Sequence, residues 1–172
     1  MSLTNIQIPD FLIAELYKDN LVIIDTQEHK NVEKDRLSTG SQWFLGDNNQ
    51  KISILVKDEE SVFLKDEWLQ FLSSILSACR LNLGDVAIIN YAKTPVFFQE
   101  VLEKLSPKNV LLFDVSMNEI DLPITIEHYQ IQSYDNCNFL SVPSLAMMLP
   151  DTQDAKLEKS KLWLCLKKIF NV

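Results

Sequence analysis

The side chains best placed for chemistry are the polar residues that follow short apolar runs. Asp58-Glu59-Glu60 comes after the run at 52–56, Asn90-Tyr91 closes the run at 86–91, and Asp114 closes the run at 110–114. Asp25 closes 21–25 in the same way. If those runs are parallel strands, their ends share one edge of a sheet, where carboxylates and amides hold metals, orient water or bind small ligands. Asp58, Asn90 and Asp114 are the groups such a site would use. The same residues also suit a plainer role as caps and loop anchors, with Asp58-Glu59-Glu60 as a solvated loop that opens the next helix.

Stronger catalytic signatures are missing. The three glycines, Gly40, Gly46 and Gly84, are too few and too scattered for a dinucleotide fingerprint or a P-loop, whose glycines are sterically required. There is no Gly-x-Ser-x-Gly elbow, and neither His29 nor His128 sits in a nucleophile motif or at metal-ligand spacing from a cysteine. Cys79, Cys137 and Cys165 are odd in number and far apart. Cys79 and Cys165 fall on apolar helical stripes and read as small core residues, not ligands or disulfide partners. No metal and no cofactor is expected.

The 172 residues suit a single domain, with 47% apolar and 23% charged residues excluding wholesale disorder. No apolar run approaches the ~20 residues that span a bilayer, so no membrane role and a soluble, cytoplasmic setting are expected. A net charge of −8 argues against direct contact with nucleic-acid phosphates, whose binding draws on Lys and Arg.

These residues must be positioned by alternating strands and helices. Ile8-Pro9-Asp10 opens an N-terminal helix within 1–18, with Pro9 in its first turn. A strand follows at 21–25, then a polar mobile loop or insertion at 26–42. Trp43-Phe44-Leu45 before Gly46-Asp47-Asn48-Asn49 has the pattern of a hairpin arm. Residues 52–56 alternate as a strand with one covered face, Leu55 excepted. Residues 64–79 read as a helix with Trp68, Leu72, Ile75 and Cys79 on one stripe, widened by Phe71 and Leu76. The runs at 86–91 and 110–114 are fully apolar, as for central strands covered on both faces. Between them Thr94-Pro95 starts a helix with Phe97, Val101 and Leu105 inward, ended by Ser106-Pro107. An edge strand is expected at 126–131, and a closing helix at 154–170 with Leu162, Cys165, Leu166, Ile169 and Phe170 on its core side. This order implies a single α/β domain over 1–172: a three-layer α/β/α sandwich with a mostly parallel central sheet and right-handed crossovers.

Ser141-Val142-Pro143-Ser144-Leu145, just before the last helix, resembles a turn of uracil-DNA glycosylase-like folds in which a histidine precedes Pro-Ser and stabilises charge on the base. Val142 holds that place here and can neither donate a side-chain hydrogen bond nor change charge. The glycosylase water-activating loop, rich in Gly, Asp and Pro, has no counterpart in Val56-Lys57-Asp58-Glu59-Glu60. The helix at 64–83, the strands at 86–91 and 110–114, the turn at 142–146 and the final helix with Lys161-Leu162-Trp163 together resemble the psi subunit family of bacterial DNA polymerase III. That family is a non-catalytic relative of the glycosylase-like fold. The resemblance implies a bridging subunit whose N-terminal segment docks on the clamp loader and whose body holds a chi-like subunit. It implies no base excision.

Three surfaces are candidates for such protein contacts. Ile8, Phe11, Leu12, Leu16 and Tyr17 are spread around the N-terminal helix, so that one side can pack on the domain while another meets a partner; the helix can equally just cover the sheet. Leu157 and Leu164 lie one heptad apart on the side of the final helix opposite Leu162, Leu166 and Ile169, with Trp163 between. Such a helix is either buried more completely than a surface helix or presents a binding face. Trp43 and Phe44 are either aromatic anchors or the cover of a strand. The other class of function left open is a small-ligand-binding or nucleotide-processing α/β enzyme that works at the carboxyl edge of the sheet.

Overall fold

The computed structural model describes residues 42–172, and Trp43–Val172 forms one compact unit. The helix expected within 1–18, with Ile8, Phe11, Leu12, Leu16 and Tyr17, lies outside the described residues, as do the strand at 21–25 and the loop up to its last residue, Gln42.

Within the described unit the elements alternate. Strand β1 (Ile52–Val56) leads to helix α1 (Asp66–Ala78), β2 (Val86–Asn90), α2 (Phe98–Leu105) and β3 (Asn109–Phe113). After a short 3-10 turn at Met117–Ile120 come β4 (Ile131–Tyr134), β5 (Cys137–Val142), another such turn at Leu145–Met147 and α3 (Gln153–Phe170). The sheet runs β2-β1-β3-β5-β4. All pairs are parallel except β4 with β5. The chain is thus an α/β protein with a five-stranded, mostly parallel sheet and three helices.

Alternation along the strands sorts side chains into two apolar clusters. Ile52, Ile54, Val56, Val86, Ile88, Leu111, Phe113, Leu140 and Val142 join Leu72 and Leu76 of α1 and Leu162, Cys165 and Leu166 of α3. Leu55, Ala87, Ile89, Val110, Leu112 and Phe139 join Phe98, Val101 and Leu105 of α2. Parallel strands fed by helical crossovers are covered in this way, which explains their unbroken β-branched and leucine runs. Helix ends follow local chemistry. Thr152 caps α3 by accepting the Ala155 N–H at 3.2 Å, and Ser106 ends α2 in the left-handed conformation. All three cysteines are free and buried, as core residues should be.

Five local expectations are corrected. Strand β1 is buried along its whole length, not on one face, because Ile52, Ile54 and Val56 enter the cluster under α1 and α3 while Leu55 enters the one under α2; Ser53 is small enough to be enclosed. Strand β2 ends the strand order instead of standing at the centre, and its outer side is met by Leu45, whose N–H and carbonyl pair with Ile88 at 2.8 Å each. The 43–45 stretch therefore runs beside β2 and is not a hairpin arm for β1. It turns away at Gly46, whose φ of +104° and distance of 2.2 Å from a notional Cβ to the Val86 carbonyl oxygen leave room for glycine alone. The edge strand is Ile131–Tyr134, displaced from 126–131, and every residue of it is exposed. Phe97 is 59% exposed, because α2 begins one residue later and Phe97 keeps an extended backbone off the helical stripe.

Candidate functional site

Strand β1 has β2 on one side and β3 on the other, so the direction of winding reverses between β1 and β3. Crevices at the carboxyl ends of strands at such reversals are the usual ligand sites of open α/β sheets. A cleft of about 370 Å3 lies there, lined by Lys57 after β1, by the 114–119 segment after β3, and by Thr125, His128 and Ser141. Lys57 Nζ lies 2.7 and 2.9 Å from the two carboxylate oxygens of Glu119. Glu119 also accepts the Ser116 N–H at 2.8 Å and its hydroxyl at 3.0 Å. Burial alone would raise the Glu119 pKa, but Lys57 and Ser116 together hold it below the ordinary value. Across the cleft His128 Nδ1 lies 3.1 Å from the hydroxyl of buried Ser141.

Asp114 and Glu119 face one ammonium that is already paired, so the cleft suits a neutral or cationic polar molecule better than an anion. Among the described residues no carboxylate bonds the other ring nitrogen of His128, so the Ser141–His128 pair lacks the third group that orients a base in a nucleophilic triad. Among the described residues, no three His, Cys, Asp or Glu side chains gather as a metal set.

Of the three strand-end residues, the structure brings two together, though not in this cleft. Asp58 and Asn90 are buried and bond to each other's groups: Asn90 Oδ1 accepts the Asp58 N–H at 3.0 Å and Asn90 Nδ2 donates to the Asp58 carbonyl at 2.7 Å. The Asp58 carboxylate accepts the N–H groups of Glu60, Ser61 and Lys65 at 2.9, 3.3 and 2.8 Å. Burial pushes its pKa upward, but those three backbone donors outweigh it and hold the group below its ordinary value. The pair pins the loop that leads from β1 into α1. Asp114 alone lines the cleft, exposed and in the left-handed conformation, with its N–H donating to the Val142 carbonyl at 3.0 Å. The convergence of all three that a ligand site built on them would need does not occur.

Val142 is fully buried and belongs to the same cluster as Leu145, Met148 and Leu162. The turn after it is fastened by the Ser144 hydroxyl, which accepts the Ala146 N–H at 3.3 Å. Val142 and Leu145 thus set the half-buried Pro-Ser turn on the core, where it anchors the approach to α3.

The aromatic and apolar candidates fall in different places. Trp43 and Phe44 meet edge to face at 5.4 Å, half-buried against the α2 cluster, with Lys104 Nζ 5.2 Å from the Trp43 ring centre. On α3, Leu157 and Leu164 are 54% and 56% exposed while Ala155, Leu162, Cys165 and Leu166 are buried. Trp163 is half-buried and lines an apolar groove of about 240 Å3 between α1 and α3.

Sequence reasoning missed two clusters. The Lys57–Glu119 and His128–Ser141 pairs join residues 62 and 13 positions apart, with no local pattern to mark them. The Tyr129 hydroxyl donates to Glu158, which also takes Lys161 Nζ at 2.7 Å, tying the segment before β4 to α3. Burial and then the neighbouring Glu158 push the Tyr129 pKa up.

No family model and no curated protein matches the chain.

Proposed function

We propose that this protein is a non-enzymatic adaptor of the DNA replication machinery, similar in role to the psi subunit of bacterial DNA polymerase III. On this reading it bridges a clamp loader and a chi-like subunit in the cytoplasm, and its sheet and helices form the three-layer sandwich of the glycosylase-like relatives. The observation that carries the reading is the two-sided apolar character of α3. One side builds the core through Leu162, Cys165 and Leu166, and the other leaves Leu157 and Leu164 more than half exposed. An exposed apolar pair on a helix already anchored to the core suits a protein partner. Burial of Val142, where base excision would want a titratable side chain, supports the same reading. The test is affinity purification of the tagged chain from its own cells. Clamp-loader or chi-like proteins among the bound species support the proposal; their absence overturns it.

A second reading is small-ligand binding at the carboxyl edge, in a nucleotide-processing or related α/β enzyme. The cleft at the winding reversal, with the Lys57–Glu119 and His128–Ser141 pairs on its walls, favours it. A thermal-shift screen with uncharged and cationic nucleosides tests it, stabilisation that disappears in His128→Ala being the supporting result.

A further inference from the structure

The groove between α1 and α3 has a charge character opposite to that of the molecule. Its walls are Phe71, Ile75 and Ala78 from α1 with Leu162, Trp163 and Leu166 from α3, and Lys159 is the sole charged residue lining it. Ammonium groups stand over aromatic rings of both helices. Lys159 Nζ lies 5.6 Å from the Phe71 ring centre and Lys167 Nζ lies 5.9 Å from that of Trp163. At the start of α1, Lys65 Nζ lies 5.6 Å from the Trp68 ring. Helix α3 carries five lysines against Asp154 and Glu158, in a chain whose net charge is −8. A basic helix on an acidic protein steers acidic segments to itself while the remaining surface repels them. The groove itself, about 240 Å3 and walled by aromatic and aliphatic carbon, has room for one large apolar side chain.

We propose that this groove receives an acidic peptide segment of a protein partner, a bulky apolar side chain seated between Phe71, Ile75 and Trp163 and its carboxylates facing Lys159 and Lys167. This deepens the adaptor reading and rests on it, naming the chemistry of one partner contact. Seating the apolar residue supplies the contact area, and the lysines select against basic or neutral competitors. Because those lysines are only half-buried, the selection weakens with salt.

Fluorescence anisotropy of the full chain with two labelled peptides tests the idea. One peptide carries aspartates followed by leucine and phenylalanine; the other has every aspartate replaced by lysine. The acidic peptide is expected to bind at least ~10-fold more tightly than the basic one, with that preference shrinking in 0.5 M salt. Lys159→Glu combined with Lys167→Glu is expected to abolish the preference while circular dichroism stays unchanged. A third peptide, acidic but with serines for leucine and phenylalanine, is expected not to bind. Equal affinity for the acidic and basic peptides, acidic binding indifferent to the double charge reversal, or no binding of the acidic peptide overturns the proposal. Recovery of replication proteins by the unaltered chain in affinity purification then still stands or falls separately, so failure of this contact is distinguishable from failure of the adaptor role.

Discussion

Asn90 and Asp58 clasp each other across 32 positions of sequence, the Asn90 amide taking the Asp58 N–H at 3.0 Å and giving to its carbonyl at 2.7 Å. The same amide also donates to the Ser61 carbonyl at 2.9 Å and accepts the Ala92 N–H at 3.2 Å. One buried side chain therefore satisfies backbone groups of two loops at the ends of β1 and β2.

Removing it should be costly. Asn90→Ala leaves several enclosed backbone groups without partners, each worth about 1–3 kcal/mol when buried and unmade. A loss of about 2–4 kcal/mol in urea denaturation is expected; a loss below about 1 kcal/mol would show that the loops re-pair on their own.

Asp58 should make stability depend on acid. Its folded pKa lies below its ordinary value of 3.8, so the charged form is favoured in the folded state. The contribution is fully present above that ordinary value and is lost as pH falls through the lower folded value. Denaturation midpoints measured from pH 6 down to pH 2 should fall less steeply in Asp58→Asn than in the unaltered chain. Parallel curves would contradict this.

Ser53 offers the opposite case. Its hydroxyl is enclosed in β1 and finds no hydrogen-bond partner among the described residues. Ser53→Ala removes an unpaired polar group without opening much volume, and a gain of about 1 kcal/mol in stability is expected by chemical denaturation.

The legibility of the chain followed burial. Runs such as 86–90 and 110–113 could be placed as strands because strands covered on both faces are apolar throughout. The α1 and α3 stripes were equally plain, since Leu72, Leu76, Leu162 and Leu166 repeat at helical spacing. What local pattern did not carry was order within the sheet. Ser53 and the flanking lysines made β1 look half-exposed, and the purely apolar β2 looked central, although Leu45 is what covers its outer side. The two carboxyl-edge pairs were hidden for the same reason: Lys57 and Glu119, or His128 and Ser141, become neighbours only when β1, β3 and β5 align. Asp58 and Asn90 read from sequence either as ligand groups or as loop anchors, and their hydrogen bonds are those of loop anchors. The resemblance to the psi family rests on the order of elements and remains part of the proposal.

Val142 gives a direct test of the turn. Val142→His puts a polar ring into a fully buried site beside Leu145 and Met148, and destabilisation of about 3 kcal/mol or more is expected. Neither the unaltered chain nor the variant should release uracil from DNA in a gel assay, since side chain 142 faces the core. Cleavage by either would contradict the assignment of this turn to packing.

The adaptor claim is tested most directly by size-exclusion chromatography of the purified chain mixed with the clamp loader and chi-like subunit of the same cells. The unaltered chain should co-elute with at least one of them. Leu157→Ser with Leu164→Ser, both at exposed positions and expected to change stability by no more than about 0.5 kcal/mol each, should elute alone. Separate elution of the unaltered chain from both proteins, or co-elution undiminished in the double variant, would contradict an adaptor that works through the outer face of α3.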